Sequence, residues 1–533
     1  MKDKNNEPNI NNYNDLKLWK ADIALSDNLK DINTEEQIKN KGEDVTFEHV
    51  KIETEEVFWV TLGSSIRRDA KNNINIESTS NFKSSSDLKI NSANDFNEIF
   101  EKSNWKSNII ILIDEFDKLY EADENVRSSC LETFRGIKNS KNNYAIWSIV
   151  TIGTFSILHI KSGKTSTSPF NVNEPFQNPN FTFNQVQFLY KEFEDDFEFT
   201  IDLEIIKDIY KWTSGHAGLV CLCGRFILDR LIEEVDKDNK LSFVIWSKFV
   251  FRSLENIILD YPTFRRMINT LNTKIVAKPA VNLLRSVFLG FFDFVNINNA
   301  EELKLAEFLV AEGVLIRDER TKNNFKMSSV FVDGLIRNWV IPELYKSRPN
   351  IPVPQTDEGS LKVLDALTEA IRCFDKTIIC NAFNRSFKTV LVKVDGCQNK
   401  RVSRESVYDS ELNRILVNWI DCQRIDIVIM SQHQTVVLEL LASATKNELN
   451  KHFERVLDYA EMLSADDIWI VNFTCEDDAT KEPHWPPNDG KFERVNVVHF
   501  FHNQKFENVR INAQYISNPG AFSYITDQVI QLQ

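Results

Sequence analysis

A chain of 533 residues that is 42% apolar and 26% charged has room for two to four domains with cores of their own, which excludes a wholly disordered polymer. Its formal net charge of -15 excludes a protein that coats nucleic acid nonspecifically, because the long-range field repels phosphate; any nucleic-acid contact has to be local. The cysteines are scattered, and the closest two, Cys221 and Cys223, are too near for a zinc knuckle or a redox pair, so they read as reduced core residues.

Residues 1–45, rich in Asn, Lys, Asp and Glu, are expected to form a disordered leader. It has no apolar core of a signal peptide, and the greasiest stretch, VFLGFFDFV at 287–295, is interrupted by Asp293 and too short for a bilayer. No membrane contact is expected, and a cytoplasmic or nuclear location is. The Ser/Asn-dense patch 71–95 reads as a mobile surface insertion.

From residue 108 the text changes to NIIILIDEFDKLY, followed by the helical ADENVRSSCLETFRGI and a second apolar run, YAIWSIVTIGTFSIL at 144–158. Buried strands alternating with helices predict a parallel sheet, in an α/β domain spanning 46–255. Asp114 and Glu115 end the first of these strands, where such sheets place ligands; there an aspartate can hold magnesium and a glutamate can polarise water, as in a Walker B strand. A P-loop belongs before that strand, and none is found; the one GKT, Gly163–Thr165, follows the 144–158 run and reads as a surface loop. ATP binding and hydrolysis are therefore not expected.

Residues 256–346 are mainly helical and contain a helix, Gly313, two short strands and another helix, the layout of a winged helix or else a plain helical connector. The Pro-rich SRPNIPVPQTDEGS, 347–360, reads as a linker, and 361–533 as a separate domain.

In that last domain IDIVIM (425–430) and TVVLELL (435–441) read as a hairpin. A two-residue loop between Ser431 and Gln434 sets Asp426 opposite Glu439 on one face. Opposed carboxylates repel, and burying them is costlier still; a divalent cation between them removes the penalty, unless both positions are wet. Glu411, on the preceding helix (403–420), is the third candidate ligand or else an exposed charge, and Glu405 reads more readily as the latter. After the hairpin, Thr445 and Glu448 form a capping box, so Glu448 is structural. His452, Arg455 and Tyr459 share one strip of that helix, facing a phosphate or forming a hydrogen-bonded edge. QNKRVSR, 398–404, is a cationic loop for a DNA backbone or a solvated one.

A helix with a glutamate, an Asp strand, an E-x-K strand and a polar-striped helix resemble the PD-(D/E)XK restriction-endonuclease-like core. The text RIDIVI, VLELLA, LNKHFERVLDYA resembles the nuclease domain of crinkler-type effectors. SIVTIGTFSI and WTSGHAGLVCLCGRFI (212–227) resemble sensor segments of AAA- and STAND-type P-loop NTPases. The resemblance runs from residue 46 to the end and lacks the crinkler LxLFLAK header. It implies an α/β multidomain chain: a parallel-sheet NTPase-like domain, a helical or winged-helix domain and an α/β restriction-endonuclease-like core. It further implies Mg²⁺ or Mn²⁺ on Asp426, Glu439 and Glu411, nucleic acid (DNA foremost) as partner, protein contacts through the first two domains, and delivery into a host. The E-x-K lysine would fall at Leu441. In the hairpin register Arg424 stands opposite position 441 and supplies the charge, with Lys446 as its rival; an arginine there serves electrostatics, not proton transfer. The expected activity is a metal-dependent nucleic-acid phosphodiesterase attached to a degenerate NTPase module; the alternative is an inactive, regulatory descendant of both folds.

Overall fold

The computed structural model describes residues 16–22, 54–73, 75–120, 122–153, 180–259, 261–318, 320–321, 323–420, 423–425, 428–430, 434–487, 490–518 and 521–532. The chain divides into two compact units, 1–177 and 178–533. The expected 46–255 domain is thus split between them.

The first unit contains β1 (Leu16–Asp22), α1 (Glu55–Asn73), α2 (Ala93–Ile99), β2 (Asn108–Asp114), α3 (Glu124–Asn139) and β3 (Ile146–Thr151). Its sheet has the order β1-β2-β3 and is parallel throughout. Ile109, Ile111 and Ile113 of β2 share a core with Phe58, Trp59 and Leu62 of α1 and with Leu131 and Phe134 of α3. Three expectations are corrected here. β1 lies inside the supposed disordered leader: its short LKLW run is diluted by polar neighbours, but pairing along β2 gives its backbone partners. The 71–95 patch is ordered, with Ile76, Leu88 and Ile90 buried; Asn75 and Ser92 accept hydrogen bonds from Ser78 N and Asp95 N, so these two polar residues are helix caps. β3 is wet on one side, with Trp147 and Val150 each 41% exposed. Gly163–Thr165 and the rest of 154–179 lie outside the described residues.

The second unit begins with α4 (Phe183–Phe197), α5 (Leu203–Thr213), α6 (Ala217–Phe226) and α7 (Phe243–Phe249), with β4 (Thr200–Ile201) and β5 (Lys240–Leu241) paired in parallel. α8 (Pro262–Thr273) and α9 (Ala277–Leu283) follow, the latter extended by Leu284–Phe288. Then come β6 (Val295–Asn296), α10 (Ala300–Ala311), β7 (Leu315–Arg317), β8 (Asn324–Met327) and α11 (Val330–Leu335), extended by Ile336–Val340. The three strands form an antiparallel sheet in the order β6-β8-β7.

The last part comprises α12 (Val363–Ile371), α13 (Lys376–Arg385), β9 (Phe387–Thr389), β10 (Arg401–Ser403), α14 (Glu405–Trp419), β11 (Gln423–Ile425), β12 (Val428–Met430), β13 (Thr435–Ala442), α15 (Lys446–Leu463), β14 (Asp467–Thr474), β15 (Val495–His502), β16 (Val509–Asn518) and β17 (Ala521–Ile530). Among the described residues, β11 to β17 form one sheet in sequence order, with β13, β14 and β15 parallel and the other pairs antiparallel. β13 is covered on both faces, as its unbroken apolar text demands. Val436, Leu438 and Leu440 pack with Tyr408, Leu412 and Ile415 of α14. Val437 and Leu441 pack with Leu449, Phe453 and Val456 of α15. The supposed linker is docked: Trp419 Nε1 on α14 donates to Ile351 O at 2.9 Å.

Candidate active site

Glu439 sits in the middle of β13 between Leu438 and Leu440, and is 4% exposed. Alternation along the strand turns it to the α15 face, together with Val437 and Leu441. A carboxylate there needs built partners, and α15 supplies them. His452 Nδ1 lies 2.6 Å from Glu439 Oε1, and Arg455 Nε lies 3.7 Å from the same oxygen. A carboxylate oxygen accepts in such a bond, so Nδ1 carries the proton that meets it. Arg455 Nε donates to Tyr459 Oη at 2.9 Å. Burial lowers the Arg455 pKa, but the charge of Glu439 and the bond to Tyr459 outweigh it and raise it overall. The structure thus brings His452, Arg455 and Tyr459 together around one buried acid.

Glu405 opens α14. It is open to solvent along one side, yet the protein crowding its carboxyl, and then the charges of Glu439 and Asp409, push its pKa up to about 7, against the pull of Lys388 and His452. Two acids therefore share a neighbourhood where the second negative charge is unwelcome. The sequence favours Glu411 over Glu405 as a ligand, whereas the structure commits Glu411 to partners of its own. Glu411 is fully buried, its Oε1 accepting from Arg285 Nη2 at 2.6 Å and its Oε2 from Arg414 Nη2 at 2.6 Å and Asp375 N at 2.7 Å. Burial would raise its pKa, but the two arginines and the Asp375 amide hold it below the ordinary carboxylate range. Six residues along a helix turn a side chain by about 120° from its start, which takes Glu411 away from Glu405. Glu405 flanks the sheet-facing stripe three residues before Tyr408, as Glu411 does three residues after it, so helical spacing carries no signal that singles out Glu405. For Lys388, on β9, no local pattern pointed to the site.

The hairpin register is corrected in part. β12 and β13 pair Val428 with Val437 and Met430 with Thr435, the expected register. β11, however, folds back on β12 with Ile425 opposite Val428. Arg424 therefore stands opposite Ile429, while position 441 pairs with Asn472 of β14. Asp426 lies outside the described residues, as does the Arg424 side chain. Leu441 is 3% exposed within the core under α15, and Lys446 points to solvent, 3.9 Å from Glu482. The Thr445–Glu448 capping box forms. In QNKRVSR, Arg401 stacks on Phe387 and Arg404 donates to Phe387 O, so part of its charge is committed internally.

Among the described residues, no group of three or more His, Cys, Asp or Glu side chains is placed to hold a metal ion. The donor chemistry nevertheless fits a hard divalent cation: Glu405 and Glu439 are oxygen donors near enough for the charge of Glu439 to act on Glu405, and the contacts of His452 and Arg455 fall on Glu439 Oε1.

In the first unit Asp114, the last residue of β2, stands beside Asp22 in the strand register, and its Oδ1 accepts from Glu115 N at 2.9 Å. Glu115 is exposed, with a φ of 51°.

No protein-family model and no curated protein matches the chain. Solved structures similar to it include a Walker-type ATPase of Pyrococcus abyssi, at 15% identity and a TM-score of 0.35 over 52% of this chain and 79% of that one. The ORC2 protein of Aeropyrum pernix matches at 11% identity and a TM-score of 0.31 over 62% and 78%. The RuvB Holliday junction branch migration motor of Thermotoga maritima matches at 14% identity and a TM-score of 0.25 over 44% and 71%. TM-scores this low fall short of establishing a shared fold. Among the described residues, no helix is long and apolar enough to cross a membrane.

Proposed function

We propose that residues 361–533 form a metal-dependent phosphodiesterase acting on nucleic acid, DNA foremost. The observation that carries this is the buried Glu439, held inside a strand by His452, with a second acid, Glu405, near enough to feel its charge. The order helix α14, strands β12 and β13, helix α15 supports it, being the order of helix, two strands and helix that the PD-(D/E)XK resemblance implies. Asp426, Glu439 and Glu405 (in the place first given to Glu411) would hold Mg²⁺ or Mn²⁺, which when bound supplies Lewis-acid stabilisation and a more acidic water. His452 fixes the Glu439 rotamer. Arg455, half-exposed and braced by Tyr459, offers a guanidinium to the phosphate, the charge that Leu441 cannot supply. Lys388 adds positive charge beside Glu405.

The 256–346 segment is read as a winged helix for nucleic-acid or protein contact, supported by its β6-β8-β7 sheet. The preceding module is read as a degenerate NTPase with Asp114 and Glu115 at its strand end, and the whole as a crinkler-type effector. The test is cleavage of plasmid DNA by the full-length chain in Mn²⁺, with Glu439→Gln, Asp426→Asn and Glu405→Gln alongside; equal cleavage by all four removes the reading. One observation favours a second reading, a non-catalytic regulator: Leu441 is locked in an apolar core, so no lysine could stand there without rebuilding it.

A further inference from the structure

α14 belongs to two bodies of the same unit. One face packs on the sheet, and Ser406, Asp409, Glu411, Asn413, Arg414 and Asn418 bond to the helical segment 285–345. The contacts at its beginning straddle Glu405. The Arg404 guanidinium lies 3.6 Å from the Phe291 ring centre, and Ser406 Oγ donates to Leu289 O at 2.8 Å. Gly290 has a φ of +66°, and a Cβ there would come within 2.3 Å of Ser406 Cβ, so only glycine lets this turn sit so close. One helical turn past Glu405, Asp409 accepts from Arg337 Nη1. Arg337 Nε also donates to Asp333 Oδ2 at 2.7 Å, and Asp333 Oδ1 accepts from Gly290 N at 2.8 Å. Gly290, Asp333, Arg337 and Asp409 thus close a bracket around the start of α14. The far end of the helix is tied separately, Asn418 Nδ2 donating to Pro342 O at 3.0 Å.

The helix needs this bracket. Its N-cap residue, Arg404, makes no side-chain cap hydrogen bond, so the first turn is not fixed by its own sequence. Glu405 is a flexible side chain on that turn. Where its carboxyl stands relative to Glu439 depends on what holds the turn from outside.

We infer that Arg337 and Gly290 are positioning residues for the acidic site: the helical segment sets the place of Glu405, and is a working part of the site. This rests on the proposed function. The experiment uses the full-length chain, plasmid DNA and Mn²⁺. Arg337→Lys is expected to lower kcat roughly tenfold with KM for DNA unchanged, the scale set by small misplacements of a reacting group. Glu405→Gln is expected to lose more. In the Glu405→Gln background Arg337→Lys should cost nothing further, because its effect runs through a group already removed. Asn418→Ala, at the far end, should stay within about twofold, as expected of a change at a distant, independent site. A fully additive double variant, or an equal loss in Asn418→Ala, overturns the inference. Hydrogen exchange gives a second readout: in Arg337→Lys the amides of 405–409 should exchange faster while those of 413–419 do not. Uniform acceleration along the helix overturns the positioning role, whereas a parent that cleaves no nucleic acid overturns the proposed function and leaves exchange to decide the positioning.

Discussion

β2 and β13 look alike in sequence, IIILID and VVLELL, each an aliphatic strand carrying an acid, yet they treat it in opposite ways. In β2 alternate residues are buried, and Asp114 stands at the open end, its oxygen on the next amide of its own chain. In β13 every residue after the first is buried, and Glu439 lies inside, its charge met by His452 and Arg455 from another element. An acid at a strand end stays within reach of the solvent and costs the fold less. An acid in a strand interior persists only if other parts of the chain are arranged around it, and that arrangement marks a site more firmly than the acid itself.

The comparison is broken most directly by exchanging the two acids' roles in an assay. Glu439→Gln is expected to lower Mn²⁺-dependent DNA cleavage by roughly 100- to 1000-fold, while Asp114→Asn and Glu115→Gln leave it within about twofold; cleavage that follows Asp114 instead would move the site to the first unit. Next in size is Glu411→Gln, which leaves Arg285 and Arg414 without their anion and should cost about 3–5 kcal/mol in urea unfolding at pH 7. Because the folded pKa of Glu411 is depressed, its contribution is present above the unfolded carboxyl value of about 4 and is lost as pH falls through the lower folded value. The variant should lose stability less steeply than the parent in that acid range. Leu441→Lys, which writes the E-x-K pattern into the strand, should destabilise by about 3 kcal/mol and restore no activity, since its charge would enter the core under α15.

These expectations show what the sequence could carry. The β12–β13 register followed from a two-residue loop, the double burial of β13 from its unbroken apolar run, and the Thr445–Glu448 cap from local spacing. The fold-back of β11 was hidden because RIDIVIM reads as one continuous strand, and it takes Arg424 from Leu441 to Ile429. Glu405 and Glu411 flank the same stripe of α14, so periodicity could not choose between them. The choice is made by Arg285 and the other groups of the helical segment, which meet α14 only after folding. The charge of Lys388 acts on Glu405 for the same long-range reason.

A smaller effect sharpens the pairing of the two acids in the second unit. Because the folded pKa of Glu405 is raised to about 7, its contribution to stability is present below the unfolded value of about 4 and is lost as pH climbs from there through 7. In metal-free buffer, Glu405→Gln should therefore lose less stability than the parent between pH 5 and 8. The difference is modest because one side of the carboxyl is wet. Mn²⁺ should flatten the parent's profile in the same direction and leave the variant's unchanged; a Mn²⁺ effect equal in both would detach Glu405 from the cation.

The smallest expected effect decides where the missing positive charge went. Lys446 and Glu482 are 3.9 Å apart with side chains 64% and 75% exposed, a geometry worth about 0.5 kcal/mol or less, so Lys446→Ala should leave the unfolding midpoint almost unmoved. Its cleavage rate should also stay within about twofold, because its ammonium stands in water rather than against Glu439. Arg455→Ala should lower the rate at least tenfold, since that guanidinium lies 3.7 Å from the buried carboxylate. If the two variants exchange these outcomes, the working cation enters from the first turn of α15, and the held arrangement around Glu439 is a device for stability alone.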